Sequence, residues 1–332
     1  MKLPLLEVNS LTVDYRMRRG TIRAVENVSF SLKKGETLGL AGESGSGKST
    51  LGLSIMRLVP YPGVIVKGHI KIDGTDILKL PEHEMRSIRG EKAAYIFQDP
   101  MTSLNPVKRI GAHFVELIRT DEPNTSKEEA FERTKTVIEN LGILPERIND
   151  YPHQFSGGMR QRIMIGLAIA LNPDLVIADE PTTALDVIVQ AKILDLMENL
   201  RKMYGMALIL ISHDLSVILE RCDKIIIMYA GHMQEYSTSM ELHKNPKHPY
   251  TQRLLQSIPN VELSDQKLAA IPGSPPNMLN PPKGCRFWPR CSYAKKICRV
   301  KEPPLIDVGR SHFVRCFLYN KEGVSVERNR KS

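Results

Sequence analysis

Gly42-Glu43-Ser44-Gly45-Ser46-Gly47-Lys48-Ser49, running on into Thr50, is the stretch that decides how this chain folds. Two glycines bracketing four residues, followed at once by a lysine and a hydroxyl, satisfy the phosphate-loop pattern. The run Thr37 to Ala41 before it predicts a buried strand, and Lys48 to Leu58 after it predicts a helix. In that setting the glycines let backbone amides point inward at phosphate oxygens, and the helix N-terminus adds a favourable dipole. Lys48 supplies charge to the β and γ phosphates, and Ser49 offers a Mg²⁺ ligand. A flexible glycine-serine turn, the plain alternative, accounts for neither the strand nor the helix.

Working outward, residues 5 to 15 and 22 to 33 read as strands of a β layer joined by a basic turn, Arg16 to Arg23. Pro60, Pro62, Gly63 and Gly68 break the chain before a strand around His69 to Asp73, and a helical stretch follows at about Pro81 to Ser87. Ala93 to Phe97 is a short apolar strand. From Asn105 to Leu171 the pattern is mainly helical, with polar breaks near Asp121 to Ser126 and Pro145 to His153, which predicts a helical subdomain inserted into an α/β core. The core resumes with strands at Leu175 to Ala178, Ala207 to Ile211 and Lys224 to Met228, with a helix near Val187 to Tyr204. Such alternation predicts parallel strands with helical crossovers. After about Met240 prolines become dense, giving a short helix, Pro249 to Ser257, and then an irregular appendage.

With 42% hydrophobic and 25% charged residues in 332, the composition is that of a globular protein with ample core, and excludes disorder, fibres and repeat arrays. The longest run without a polar side chain, Ile163 to Leu171, is nine residues, while crossing a bilayer takes about 20. The start meets Glu7 too early for a secretory apolar region of about 7 to 15 residues. A cytoplasmic chain that does not span a membrane by itself is expected. The net charge of +9 is concentrated at one end, because residues 283–332 carry 13 Lys and Arg against 4 Asp and Glu. Nucleic acid, anionic lipid, an internal anionic centre and simple solvation are all open partners for that tail. Cys285, Cys291, Cys298 and Cys316 fall in the same stretch, whereas Cys222 stands alone and reads as a buried core thiol. Four close cysteines in a reducing compartment point to metal before disulfides.

Leu175-Val176-Ile177-Ala178-Asp179-Glu180 places two carboxylates at the end of an apolar strand. Asp179 suits a Mg²⁺ site through water, and Glu180 a general base that orients water for in-line attack on the γ phosphate. Alone, such a pair is more often a helix cap; its value comes from occurring with Lys48. Ser156-Gly157-Gly158-Met159-Arg160-Gln161 puts a hydroxyl and glycine amides at a helix start, which suits a γ phosphate. Gln98 follows the strand Ala93 to Phe97, His213 follows Ala207 to Ile211, Ala184-Leu185-Asp186 follows the carboxylate pair, and Tyr15 precedes the phosphate loop.

This ordered set resembles the ATP-binding cassette ATPases over about residues 3–240. The resemblance implies a P-loop NTPase core with an antiparallel β subdomain and an inserted helical subdomain at about 100–172. It divides the chain into a nucleotide-binding domain, 1–240, and a cysteine-bearing appendage, 241–332. Ser156, Gly157 and Gly158 match the signature motif, with Met159 where glutamine is usual. Gln98 matches the glutamine that senses Mg²⁺ and faces a transmembrane partner, so Ser49, Gln98 and Asp179 form the implied Mg²⁺ set. His213 matches the switch histidine on the γ phosphate, and Tyr15 the aromatic that stacks on adenine. Asp186 belongs to the loop that crosses between two subunits, although Thr183 stands where serine is frequent. The resemblance also implies a dimer in which the signature of one subunit closes on ATP held by the other.

His248-Pro249-Tyr250-Thr251, continuing through Leu254, Leu255 and Pro259, and Asn280-Pro281-Pro282-Lys283-Gly284-Cys285 with Pro289-Arg290-Cys291, Cys298 and Glu302-Pro303, resemble the tail of oligopeptide and dipeptide importer ATPases. In that family the tail can carry a [4Fe–4S] cluster. The gaps between cysteines are five, six and seventeen residues, against about two to four within zinc knuckle pairs. That spacing does not favour zinc, yet iron-sulfur, zinc and unligated thiols all stay open. Arg286, Arg290 and Arg299 are expected to offset the charge of an anionic cluster. The implied partners are two integral membrane permease subunits, a second ATPase subunit (a related chain, otherwise a copy), and, indirectly, an extracytoplasmic peptide-binding protein. The place of work is then the cytoplasmic face of the membrane. Import of nickel or another small solute is the related alternative. A soluble ATPase acting on nucleic acid through the basic tail is disfavoured, because aromatic residues are sparse there.

Overall fold

Leu6 and Val8 are buried on one phase of strand β1, Leu6–Met17, and Leu11 and Val13 on the other, because Ser10, with φ at 49°, shifts the alternation by one residue. The structure, a computed structural model, describes residues 3–99, 103–183, 185–258 and 271–320. The start of the expected helical insertion near 100, Ala184, Pro259 and the basic end of the tail with Lys321, Arg328, Arg330 and Lys331 lie outside the described residues.

In chain order, β1 is followed by β2 Gly20–Leu32, β3 Thr37–Ala41, α1 Lys48–Ile55, β4 Gly63–Ile72, β5 Thr75–Asp76, α2 Glu82–Ser87 and β6 Ala93–Ile96. Then come α3 Ile110–Asp121, α4 Lys127–Asn140, α5 Gly157–Ile169, β7 Leu175–Asp179, α6 Val187–Tyr204 and β8 Ala207–Ile211. The remainder is α7 Leu215–Arg221, β9 Lys224–Tyr229, β10 His232–Thr238, α8 Ser239–Lys244, α9 Pro249–Gln256, β11 Ile306–Asp307 and β12 Phe313–Val314.

The chain divides into two compact units. The first comprises Met1–Glu7, Ser31–Glu36 and Ile70–Ile211. There β6, β7 and β8 pair in parallel, Ala93 opposite Leu175 and Leu175 opposite Ala207. Every residue of these strands is buried, as expected of parallel strands covered on both faces, and this is why they read as unbroken apolar runs. Ser126 caps α4 by accepting from the Glu129 amide, and α6 stops at Gly205 in the left-handed conformation.

The second unit comprises Val8–Phe30, Thr37–His69 and Ser212–Ser332. Here β1 lies between β2 and β4. Outside that β1 sheet, β3 and β9 form a parallel pair, Leu38 opposite Lys224, with β10 antiparallel to β9. The short strands β12 and β11 continue it, Glu235 opposite Val314 and Ile306 opposite Val314.

Several expectations need correction. The basic turn at Arg16 to Arg23 shrinks to two residues, because β1 continues to Met17 and β2 starts at Gly20. Helix α1 ends at Ile55 rather than Leu58, with Arg57 in a left-handed conformation, φ 51°. The strand placed at His69 to Asp73 starts at Gly63 and runs through Gly68. Helix α7 and strand β10 were not anticipated. In β10 the buried residues include His232, Gln234, Glu235 and Ser237, so no apolar alternation marks it. The appendage is not irregular throughout, since β11 and β12 extend a sheet; strands of two residues carry no detectable period.

Candidate functional site

Strand β3 ends in a loop in which Gly42 and Gly47 leave no room for a side chain. A Cβ on Gly42 would lie 2.1 Å from the Met228 carbonyl oxygen, and one on Gly47 2.2 Å from that of Ala24; their φ angles are 146° and 103°. The loop is thus wrapped against the neighbouring backbone, and Gly231 N–H donates to the Ser46 carbonyl at 2.9 Å. Lys48 is 5% exposed and its Nζ donates to the carbonyls of Gly42 and Glu43, at 2.8 and 3.1 Å. The ammonium is therefore held over the loop. The buried Ser46 Oγ has no hydrogen-bond partner among the described residues, which is the signature of a group awaiting a polar ligand. Ser49 and Thr50 follow in α1; Thr50 Oγ1 stands 3.5 Å from the hydroxyl of half-buried Tyr15. Ser44 and Gly45 complete the loop, and His213 is exposed just before α7 in the same unit.

In the first unit β7 delivers the carboxylates. Asp179, 6% exposed, accepts a 2.7 Å hydrogen bond from the Tyr95 hydroxyl. Burial, and then the Asp179 charge, push the Tyr95 phenol far above its ordinary pKa, so it stays a donor. Glu180 turns out of the strand with φ at 47°, a conformation that costs an ordinary residue energy and concentrates at working sites. Its Oε2 accepts from Gln98 Nε2 at 3.1 Å and from Thr183 Oγ1 at 3.0 Å. Gln98 and Glu180 are thus brought together across 82 residues of sequence. Ser156 caps α5, accepting from the Met159 amide at 3.4 Å, and Gly157 and Gly158 form its first turn. Asp186 caps α6, its Oδ1 accepting from Val189 N at 2.9 Å. A cavity of about 630 Å³ against α3 and α4 contains none of these residues.

Cys285, Cys291, Cys298 and Cys316 line one cavity of the second unit, with Phe287, Trp288 and Phe317. Its free volume is small, about 20 Å³. Among the described residues no group of three or more His, Cys, Asp or Glu is arranged to hold a metal ion. The donor chemistry nonetheless suits a thiolate-bound group. Backbone amides of Phe287, Tyr293 and Leu318 bond the sulfurs of Cys285, Cys291 and Cys316, and Lys295 N donates to Cys298 Sγ at 3.4 Å. Buried Trp288 Nε1 has no acceptor among the described residues. Burial pushes the thiols of Cys285 up to about 12 and Cys316 to about 11, and raises that of Cys291, against the pull of the amides. Cys222 is buried elsewhere in the unit, as expected.

Two of the three arginines beside these cysteines are not placed as the sequence suggested. Arg286 Nη2 donates to Glu26 Oε2 and its Nη1 to the Ala230 carbonyl. Arg290 forks onto Glu43, Nη1 to Oε2 at 2.7 Å and Nη2 to Oε1 at 3.0 Å. Arg299 lies 5.0 Å over the Trp288 ring. The first two charges are spent on carboxylates of the main body rather than on the cysteine cavity. Glu43, Tyr95, Thr183 and Tyr250, whose hydroxyl accepts from Glu43 N–H at 2.9 Å, make contacts to the candidate residues or their loop that sequence reading missed. No local spacing marks them.

Residues 25–183 match the family described as ABC transporter, and residues 234–298 match the oligopeptide/dipeptide transporter C-terminal region. The chain is 47% identical to the oligopeptide transport ATP-binding protein of Bacillus subtilis, over 97% of this chain and 91% of that protein. It is 45% identical to the Escherichia coli protein of the same description, over 94% and 93%. It is 43% identical to the dipeptide transport ATP-binding protein of Lactococcus lactis, over 97% and 93%. A solved dimeric ATP-binding cassette, described as a post-hydrolysis state bound to ADP and Pi, superposes with a TM-score of 0.63 at 29% identity, covering 70% of this chain and 98% of that one.

Proposed function

This chain belongs to the oligopeptide and dipeptide transport ATP-binding proteins, ATPases of the ABC transporter family, and we propose from that premise that it energises uptake of di- or oligopeptides. The observation that carries the peptide assignment is the match of residues 234–298 to a C-terminal region described for oligopeptide/dipeptide transporters. The chain is an ATPase. No described helix is long and apolar enough to cross a membrane, so the conduit belongs to other polypeptides in this reading. Those are two permease subunits, with a second ATPase subunit, a related chain or a copy, and an extracytoplasmic peptide-binding protein acting indirectly. Work at the cytoplasmic face follows.

In the proposed reaction Tyr15 stacks on adenine, and the loop from Gly42 to Thr50 surrounds the phosphates. Lys48 neutralises β and γ oxygens. Bound Mg²⁺, for which Ser49, Gln98 and Asp179 are the residues, supplies further neutralisation of the phosphate charge. Glu180 takes the proton of the attacking water, its carboxylate steadied by Gln98 and Thr183, and His213 contacts the γ phosphate. Ser156, Gly157 and Gly158 serve the partner's nucleotide, with Asp186 at the crossing. The division into a nucleotide-binding domain, 1–240, and an appendage, 241–332, belongs to the same proposal. Deleting the chain should abolish uptake of labelled di- or oligopeptides, and a Lys48→Ala copy should fail to restore it. Intact peptide uptake together with loss of nickel uptake would transfer the assignment to the related alternative.

The cysteine cavity is proposed to hold a [4Fe–4S] cluster, with zinc the alternative. Support comes from four sulfurs around one cavity, each accepting a backbone amide. Ligation requires the thiols to move outward from their present packing. Anaerobically purified chain should contain iron and sulfide in equal amounts, and lose both on Cys291→Ser. Stoichiometric zinc would reject the cluster.

A further inference from the structure

An acidic residue inside a phosphate-binding loop has the wrong sign, and Glu43 is the one acid between Gly42 and Ser49. Left alone, its carboxylate would repel the triphosphate that Lys48 attracts. Its charge is met instead by Arg290, which arrives from the cysteine-bearing appendage 247 residues later in the sequence. The Arg290 side chain is 6% exposed and that of Glu43 24%, so the pair is partly shielded from solvent. Two parallel N–H···O bonds fix the carboxylate in both distance and plane. The same loop residue is gripped at its backbone, because Glu43 N–H donates to the fully buried Tyr250 hydroxyl. Arg290 Nη1 also lies 3.4 Å from the Tyr229 hydroxyl, and Tyr229, Tyr250 and Phe287 pack with ring centroids 4.7 to 5.3 Å apart.

A second route runs parallel. Arg286 holds the Ala230 carbonyl and Glu26, and the next residue, Gly231, donates to the Ser46 carbonyl and accepts from the Glu26 amide at 2.9 and 2.8 Å. Arg286 follows Cys285 directly, and Arg290 directly precedes Cys291. Both contacts therefore hang from the backbone that carries the cysteines.

We infer that Arg290, seconded by Arg286, is a positioning residue for ATP: the appendage holds the phosphate loop in its binding shape through Glu43. The inference rests on the ATPase reading of the same site and is independent of the peptide. Each arginine acts through the loop, Arg290 by its fork on Glu43 and Arg286 by the Ala230 carbonyl beside Gly231. Disturbing the cysteine backbone should be felt as weaker ATP binding by the same path.

The test is equilibrium binding of ATP to the full chain, with thermal unfolding followed in parallel. Arg290→Ala should weaken ATP binding by about tenfold, the size expected for losing a charged hydrogen-bonding partner. Arg290→Lys, which keeps the charge without the fork, should weaken it less and should speed hydrogen exchange of the amides at 42–49. In a Glu43→Ala background Arg290→Ala should add almost nothing, because the coupling is already gone. Should Arg290→Ala destabilise the chain too far to measure, Arg290→Lys alone decides. Parent-like affinity with parent-like loop exchange, or a loss of equal size in the Glu43→Ala background, overturns the inference. A parent chain that binds no ATP removes the ATPase reading and takes this inference with it.

Discussion

Glu180 combines two properties that rarely coincide by chance: a left-handed backbone at the end of a buried strand, and a carboxylate held on one oxygen by both Gln98 and Thr183. Holding a branchless but bulky acid at φ 47° costs about 1–3 kcal/mol, which the surrounding strands must supply. If the carboxylate takes the proton from water, Glu180→Gln should lower ATP turnover by about 10²–10⁴-fold while ATP binding persists. Phosphate release measured beside nucleotide affinity separates the two, and parent-like turnover refutes the base. The loop that holds Lys48, with its flanking strand and helix, was legible from spacing alone, because such a loop is a local object. The Arg290 fork on Glu43 was not, since nothing in the local pattern of either residue names the other.

At the scale of elements, β10 and α9 show how a buried polar layer escapes a hydropathy pattern. Glu235 is fully buried on β10, accepting from the amides of Lys247 and His248 at 2.7 and 2.8 Å and standing 2.6 Å from His312 Nε2. His248 caps α9, its Nδ1 accepting from Tyr250 N at 3.0 Å. Burial pushes the His248 ring down to about 4, with the Glu235 charge opposing. The folded pKa lies below that of the unfolded chain, so the unfolded state gains protons first as pH falls. Stability is therefore intact above pH about 6.5 and is lost as pH drops toward about 4, by up to about 3 kcal/mol from this group. Denaturant unfolding at pH 7 and pH 4.5 should show a smaller loss in His248→Asn, which keeps a capping acceptor without a titrating ring. An identical pH slope in the variant would show that other groups set it. The long elements, α6 and the parallel strands, were readable because burial on one stripe or both faces writes a regular pattern; β10 carries His, Gln and Glu inward and writes none.

For the whole molecule, the basic excess of the tail has an internal use. Arg286, Arg290 and Arg315 meet Glu26, Glu43 and Glu302 in the same chain. These three cations are committed before any external anion arrives, which weakens the case for a nucleic-acid surface built on them. The signature residues at the start of α5 and the loop at Asp186 predict a working dimer. Glu180→Gln, mixed with its companion ATPase subunit, should double in mass on adding ATP and Mg²⁺ and stay monomeric with ADP. Light scattering that shows no ATP-dependent association would remove the dimer.

The sequence alone determined the glycine-rich loop, its flanking strand and helix, the order of the candidate motifs and the clustering of cysteines, because each is a short-range pattern imposed by local backbone chemistry or periodic burial. Tertiary structure alone decided the rest. It paired Gln98 with Glu180, turned Arg286 and Arg290 onto Glu26 and Glu43 of the main body, and tied the phosphate loop to the appendage. Such contacts depend on which buried charges find each other once distant segments pack, and a buried charge must be paired wherever its partner lies in the chain.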